Sequence, residues 1–265
     1  MKSRNPNLLV VDIGNTSTTF GVARSGRLMR TGRMPSLDGG DLKRLEWVLR
    51  RFIQSAEIED SVLCSVVPRL DPGWLHVLGR LTGREPLLVT HRIRMNVAVD
   101  YPRPATIGAD RLANAVAAWE RYGGAVVVAD FGTALTFDVI TGDARYVGGV
   151  IAPGLPLMTD YLCERTALLP HIELARPSRS IGRNTREAMR IGAIVGYRGM
   201  VREILQEVID EMDNTQVSVC ATGGYSRMAV QGLREQVDVL PHLTLDGLIV
   251  MHRLNRHPWS ADLQG

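Results

Sequence analysis

The stretch that most constrains this chain runs from Leu8 to Thr19. Four apolar residues, Leu8-Leu9-Val10-Val11, lead into Asp12 and then into Ile13-Gly14-Asn15-Thr16-Ser17-Thr18-Thr19. An apolar run with two Val predicts a buried strand, and Gly14 with Asn15 predicts the tight turn that ends it. Asp12 then lies at a strand end. A carboxylate there can hold Mg²⁺ through its water shell, while the amides and hydroxyls from Gly14 to Thr18 can face phosphate oxygens. A plain hairpin with a solvated Asp has the same letters, so this stretch alone leaves both readings open.

The grammar recurs in mid-chain as Ala125-Val126-Val127-Val128-Ala129-Asp130-Phe131-Gly132-Thr133-Ala134-Leu135-Thr136. Each copy is an apolar strand, Asp, any residue, Gly, then Asn or Thr. Each is followed by a β-compatible segment, Thr19 to Ala23 or Thr136 to Ile140, and by a turn containing Gly. Two similar half-molecules are implied. Two acidic turns, one in each half, would frame a nucleotide cleft.

Composition narrows the chemistry. The 265 residues can bury a full core, and a net charge of +3 spread among 28 acidic residues argues against a nucleic-acid partner. Lysine occurs only at Lys2 and Lys43, which removes the Gly-Lys-Ser/Thr phosphate loop and leaves no Schiff-base Lys. A phosphate site must therefore rely on backbone amides, Arg and metal. Cys64, Cys163 and Cys220 lie far apart among apolar neighbours and predict buried, reduced thiols, and the six His form no zinc pattern. The short lead before Leu8 does not suit a signal peptide, and no segment approaches a membrane span. A soluble cytoplasmic protein is the expectation.

Taken in order, Thr18 to Ala23 and Arg27 to Met34 predict a hairpin, Leu42 to Phe52 a helix, Ser61 to Val67 a strand, Trp74 to Leu81 a helix, and Leu87 to Thr90 a strand. Three strands, helix, strand, helix, strand is the order of a ribonuclease-H-like α/β domain. Asp100 to Arg111 is irregular and passes into an Ala-rich helix, Leu112 to Tyr122, with Asp110 at its first turn. Asp110 is there either a helix cap or a functional acid. Gly123-Gly124 marks the boundary, giving halves 1–122 and 123–265. In the second half, Ala134 to Ile140 and Tyr146 to Ile151 are expected as paired strands, Leu155 to Arg165 as a helix, and Ile172 to Leu174 as a short edge strand. One long helix is expected from Arg183 to Met212, with Gly192, Gly196 and Gly199 open to another helix or subunit. Val217 to Ala221 is expected as a strand running into Thr222-Gly223-Gly224, either an ordinary turn or a seat for a base or ribose. Leu245 to Leu254 is the final helix, and His257 to Gly265 has the composition of a frayed tail.

Several stretches together resemble the type III pantothenate kinases. They are Asp12 to Thr16, Tyr101 with Gly108 to Arg111, Asp130 to Thr133, Gly148 to Gly154, Thr166 to Pro170, Gly182 to Thr185, and Thr222 to Gly224. The resemblance spans nearly the whole chain. It implies the actin-like and sugar-kinase superfold: α/β, a duplicated ribonuclease-H-like fold with two mixed sheets flanked by helices. It also implies ATP-dependent phosphorylation of pantothenate, the first step of coenzyme A synthesis, with Mg²⁺ carried by ATP, a monovalent cation (potassium or ammonium) and a homodimer.

By resemblance Asp12, Ile13, Gly14, Asn15, Thr16, Ser17, Thr18 and Thr19 form the ATP-phosphate turn, with Asp12 near Mg²⁺. Thr133 is a further ATP contact and Asp130 the monovalent-cation ligand. Tyr101, Gly108, Ala109, Asp110, Arg111 and Thr185 contact pantothenate, with Asp110 as proton acceptor. Leu135 departs from the family's pattern, being bulkier than the small residue expected beside Thr133. Two other functions share the phosphate turns: a kinase for a sugar or another small alcohol, and a nucleotide-binding regulatory protein without kinase activity. Alcohol-dependent ADP formation separates them.

Overall fold

The structure is a computed structural model that describes residues 7–36, 40–212, 216–231, 233 and 236–256. The lead before Asn7 and the tail from His257 lie outside the described residues. The chain divides into two units, one of residues 1–121 with 243–265, the other of residues 122–242.

The first unit opens with strands β1 (Asn7–Ile13), β2 (Ser17–Arg24) and β3 (Arg27–Pro35). Helix α1 (Leu42–Ile53), strand β4 (Ile58–Ser65), helix α2 (Asp71–Thr82) and strand β5 (Leu87–Leu88) follow. A two-residue strand β6 (Ala98–Val99) precedes helix α3 (Ala109–Tyr122). The sheet runs in the order β3-β2-β1-β4-β5, antiparallel from β3 to β1 and parallel beyond it. Ser25 and Gly26 both take positive φ, 55° and 74°, as the tight turn between β2 and β3 requires. Asp41 caps α1 by accepting from the amides of Lys43 and Arg44. Leu45, Leu49 and Ile53, spaced at four, then form the buried stripe of that helix. With Trp74, Val77 and Leu78 of α2 they cover Leu9, Val11 and Ile13.

The second unit repeats the plan. Strands β7 (Val126–Phe131), β8 (Ala134–Ile140) and β9 (Arg145–Pro153) lead to helices α4 (Leu155–Arg165), α5 (Thr185–Ile191) and α6 (Tyr197–Glu211). Strand β10 (Ser218–Thr222), the short helix α7 (Ser226–Ala229) and strand β11 (Val237–Val239) complete it. Its strands run β11-β10-β7-β8-β9 with the same pattern of directions. Phe131, Leu135, Phe137, Tyr197, Val201 and Leu205 are at the heart of its core. The duplication expected from the two Asp-containing stretches is thus present as two sheets of one topology.

Three expectations need correction. The expected long helix is interrupted by a π-helical turn, Gly192–Gly196, between α5 and α6. Ile172 to Leu174 is not a strand: Arg186 Nη1 donates to the carbonyl of His171 and Arg190 Nε to that of Glu173. Side chains of α5 thereby satisfy carbonyls that a strand would commit to a ladder, and the buried Ile172 supplies the apolar signal. The last helix, α8 (Leu243–Arg256), belongs with the first unit, not with the half in which the chain order would leave it.

The packing of α8 explains that placement. Thr244 Oγ1 donates to Asn114 Oδ1 at 2.8 Å, and His252 Nε2 lies 3.0 Å from Asp60 Oδ2 at the buried edge of β4. Gly247 lets the two helices approach so closely that a Cβ there would collide with the backbone of Ala113. Gly247→Ala is therefore expected to destabilise the fold by about 1–3 kcal/mol despite the gain in helix propensity, read as a lower denaturant midpoint. An unchanged midpoint would mean that the helix contact is looser than described.

Candidate active site

Asp12 is the next-to-last residue of β1, and the strand pairing sets what surrounds it. Across the antiparallel ladder it stands opposite Thr19, and across the parallel ladder beside Cys64. The Cys64 thiol, fully buried, donates to Asp12 Oδ1 at 3.2 Å. Burial first, then the carboxylates of Asp12 and Asp110, push that thiol well above the ordinary cysteine range. Cys64 is therefore a neutral donor, and two of the expected acids lie close enough to act on it.

The turn after Asp12 is shaped by the end of β3. Ser36 Oγ donates to the carbonyl of Gly14 at 2.6 Å, and the Ser36 amide donates to the carbonyl of Thr16 at 3.1 Å. Since the single Ser36 proton is spent on Gly14, the Thr18 hydroxyl at 3.0 Å must donate to Ser36. The Gly14 amide closes the turn on the carbonyl of Ser17 at 3.2 Å. Ile13 and Thr18 are buried and hold the turn from inside, whereas Asn15 and Thr16 are exposed. Ser36 and Cys64 escaped the sequence reading because strand pairing, not chain proximity, brings them to the turn.

Asp110 sits in the first turn of α3, one residue after the helix starts, so it is not the cap itself. Its Oδ1 accepts from the Arg111 amide at 2.8 Å and lies against Gly108, where a Cβ would collide with it. Val66, just beyond β4, is the other neighbour of Gly108. Burial raises the Asp110 carboxyl above the usual aspartate range, with the Arg111 amide and guanidinium opposing it in part. A half-buried acid with a raised pKa is the form a proton acceptor takes. Ala109 is buried and can offer a ligand only its backbone, while Tyr101 is exposed and Arg111 half-buried.

In the second unit Asp130 occupies the place of Asp12, opposite Thr136 and beside Thr222. Gly223, with φ 86°, lies against its carboxylate. A Cβ there would come within 2.6 Å of Asp130 Oδ1 and of the Phe131 carbonyl oxygen. The two polar atoms nearest that position, Asp130 Oδ1 and the Phe131 carbonyl oxygen, are both oxygens, a donor type that suits a hard cation and not a thiophilic one. Tyr197 lies within the field of Asp130: its phenol is raised chiefly by burial, with that carboxylate adding to the rise. Thr133 is exposed, and its carbonyl lies so near Gly154 that only a glycine fits where β9 meets α4. Leu135 is fully buried and points into the core, so its bulk does not crowd Thr133. Thr185 begins α5, exposed, after Asn184, whose Oδ1 caps the helix by accepting from the Glu187 amide at 2.9 Å.

Among the described residues no group of three or more His, Cys, Asp or Glu could hold a metal by itself. A divalent ion at Asp12 must then take its remaining ligands from phosphate and water, the usual state of a nucleotide-borne Mg²⁺. A cavity of about 330 Å³ in the second unit, lined in part by Gly148, Val208, Glu211 and Met212, contains none of the expected site residues.

The model of the family described as type III pantothenate kinase matches residues 8–207. The type III pantothenate kinase of Akkermansia muciniphila is 42% identical over 247 residues, covering 93% of this chain and 98% of the relative. That of Methylacidiphilum infernorum is 41% identical over 244 residues, covering 91% and 86%. Among solved structures, a ROK family glucokinase from Streptomyces griseus in complex with glucose and AMPPNP superimposes with a TM-score of 0.56 at 14% identity, covering 94% of this chain and 99% of that one. The last likeness establishes the sugar-kinase, actin-like fold. With a family model over most of its length and relatives this close, the chain belongs to the type III pantothenate kinase family.

Proposed function

We propose that this chain transfers the γ-phosphoryl group of ATP to the primary hydroxyl of pantothenate, yielding 4'-phosphopantothenate and ADP, the first step of coenzyme A synthesis. Family membership supports the substrate. The observation that carries the chemistry is the gathering of Asp12 and Asp110 around one buried thiol in the first unit.

Phosphoryl transfer asks the protein for position and charge more than for covalent help. The amides of Asn15 to Thr18, in a turn closed by the Gly14 amide and braced by Ser36, hold the terminal phosphate. Asp12 would hold the Mg²⁺ carried by ATP, which would supply positive charge against the phosphates. Tyr101, Gly108, Ala109, Arg111 and Thr185 hold pantothenate, and Asp110 accepts its hydroxyl proton as the oxygen attacks phosphorus. The new O–P bond forms as the bond to the bridging oxygen breaks, and ADP leaves. Asp130 binds potassium or ammonium, and Thr133 contacts ATP.

The exposed apolar side chains of the second unit support a homodimer. Ile151, Leu168, Ile181 and Tyr161 are 66%, 89%, 80% and 61% exposed, and among the described residues nothing lies within 4 Å of where a Cβ would stand on Gly192 or Gly196. The enzyme works in the cytoplasm, a reading supported by Cys64, Cys163 and Cys220 all being thiols, with no disulfide among the described residues. Among the described residues no helix is long and apolar enough to cross a membrane.

Coupled ADP release with pantothenate, set against a panel of sugars and run with and without potassium, tests the reading. Pantothenate-dependent, potassium-stimulated ADP release is expected, and release only with a sugar contradicts it. Asp110→Asn keeps an oxygen for the Arg111 amide but removes the base, so kcat should fall roughly 100- to 10,000-fold with the melting temperature held. Because the Asp110 pKa is raised, parent kcat/KM should decline on the acid side at a pH above that of an ordinary aspartate. Cys64→Ser should keep kcat near the parent's, whereas Cys64→Val, which lacks a donor, should lower it about tenfold or more. Equal rates for the two variants would remove Cys64 from the positioning of Asp12. Light scattering should give twice the 29.2 kDa chain mass, and Ile151→Glu with Leu168→Glu should shift it toward one. A parent that runs as a monomer contradicts the dimer.

A further inference from the structure

The register of the first sheet lines up four side chains across four strands: Cys64 on β4, Asp12 on β1, Thr19 on β2 and Arg33 on β3. The matching row of the second sheet is Thr222, Asp130, Thr136 and Ile151. The rows agree in a donor, a carboxylate and a threonine, then part at the last place. One ends in a guanidinium, the other in an isoleucine.

Residues opposite each other in a ladder project to the same face, so Arg33 shares the face of Asp12. Its Nε donates to Ser17 Oγ at 2.8 Å, which fastens the cation to a hydroxyl of the turn. That bond leaves the donors of both terminal nitrogens, and among the described residues no carboxylate pairs with Arg33. The chain has no lysine within the turn, its two being Lys2 and Lys43. An exposed arginine is usually a solvated charge. This one is tethered to a phosphate turn that has no other cation of its own.

We propose that Arg33 binds the phosphate chain of ATP, held in place by Ser17 while its terminal N–H groups meet phosphate oxygens. The role rests on the kinase reading and adds a residue to it. Planar, paired donors suit phosphate better than a lysine would, and such charge-assisted bonds are the strong ones.

Calorimetric binding of ATP, ADP and AMP to the full chain without pantothenate tests this apart from the reaction. Arg33→Gln should weaken ATP about tenfold or more and leave AMP within about twofold. Arg33→Lys keeps the charge but loses the Ser17 hydrogen bond, so it should fall between parent and Gln variant. ATP bound equally by parent and Arg33→Gln overturns the proposal. So does equal weakening of ATP and AMP, which would make Arg33 only a brace for the turn, and so does a Lys variant as weak as the Gln variant. A parent that binds ATP with this pattern yet leaves pantothenate untouched would refute the substrate and keep Arg33 in its place.

Discussion

A carboxylate at the end of a strand enclosed by its neighbours is costly unless donors meet it. In the first unit the requirement is met by register. Pairing of β1 with β4 sets Cys64 beside Asp12 and aims its S–H at the carboxylate. The same register sends Leu9, Val11 and Ile13 to the opposite face, under α1 and α2. Slipping one residue would turn the acid into that core, so the packing that stabilises the sheet also fixes the site. In the second sheet the same register sets Thr222 beside Asp130.

Duplication and specialisation then separate the halves. Both acidic strands turn at a glycine, Gly14 or Gly132, and both third strands end in a proline, Pro35 or Pro153, paired with the start of the second strand. The residue after that proline lies under the turn: Ser36, which donates to Gly14, and Gly154, which has no side chain to crowd Gly132 and Thr133. The first turn is thereby held by side-chain hydrogen bonds and the second by close backbone contact.

Much of this was legible in the chain. The two copies of strand, Asp and Gly predicted the duplicated fold, because burial of a central strand and the need for a tight turn both act over a few residues. The order of most elements around them followed from apolar period and turn residues, whereas the short β6, α7 and β11 gave no such signal. What lay outside local sequence was pairing at a distance: α8 packs on the first unit through Gly247 and Ala113, and Ile172 is buried without a ladder because arginines of α5 take the neighbouring carbonyls. The π-helical turn also left no mark in the apolar spacing. The strand-end positions of Asp12 and Asp130 could be read from the residues, and Asp110 only as a choice between cap and acid. Cys64 and Ser36 could not, since each reaches the turn from another strand.

The most direct measurement is a crystal structure of the chain with a non-hydrolysable ATP analogue, Mg²⁺ and pantothenate. The expected result has the γ-phosphate on the amides of Asn15 to Thr18, the metal beside Asp12, and the Asp110 carboxylate within hydrogen-bond distance of the pantothenate hydroxyl. Phosphates seated away from that turn, or an Asp110 that does not reach the bound hydroxyl, would contradict it.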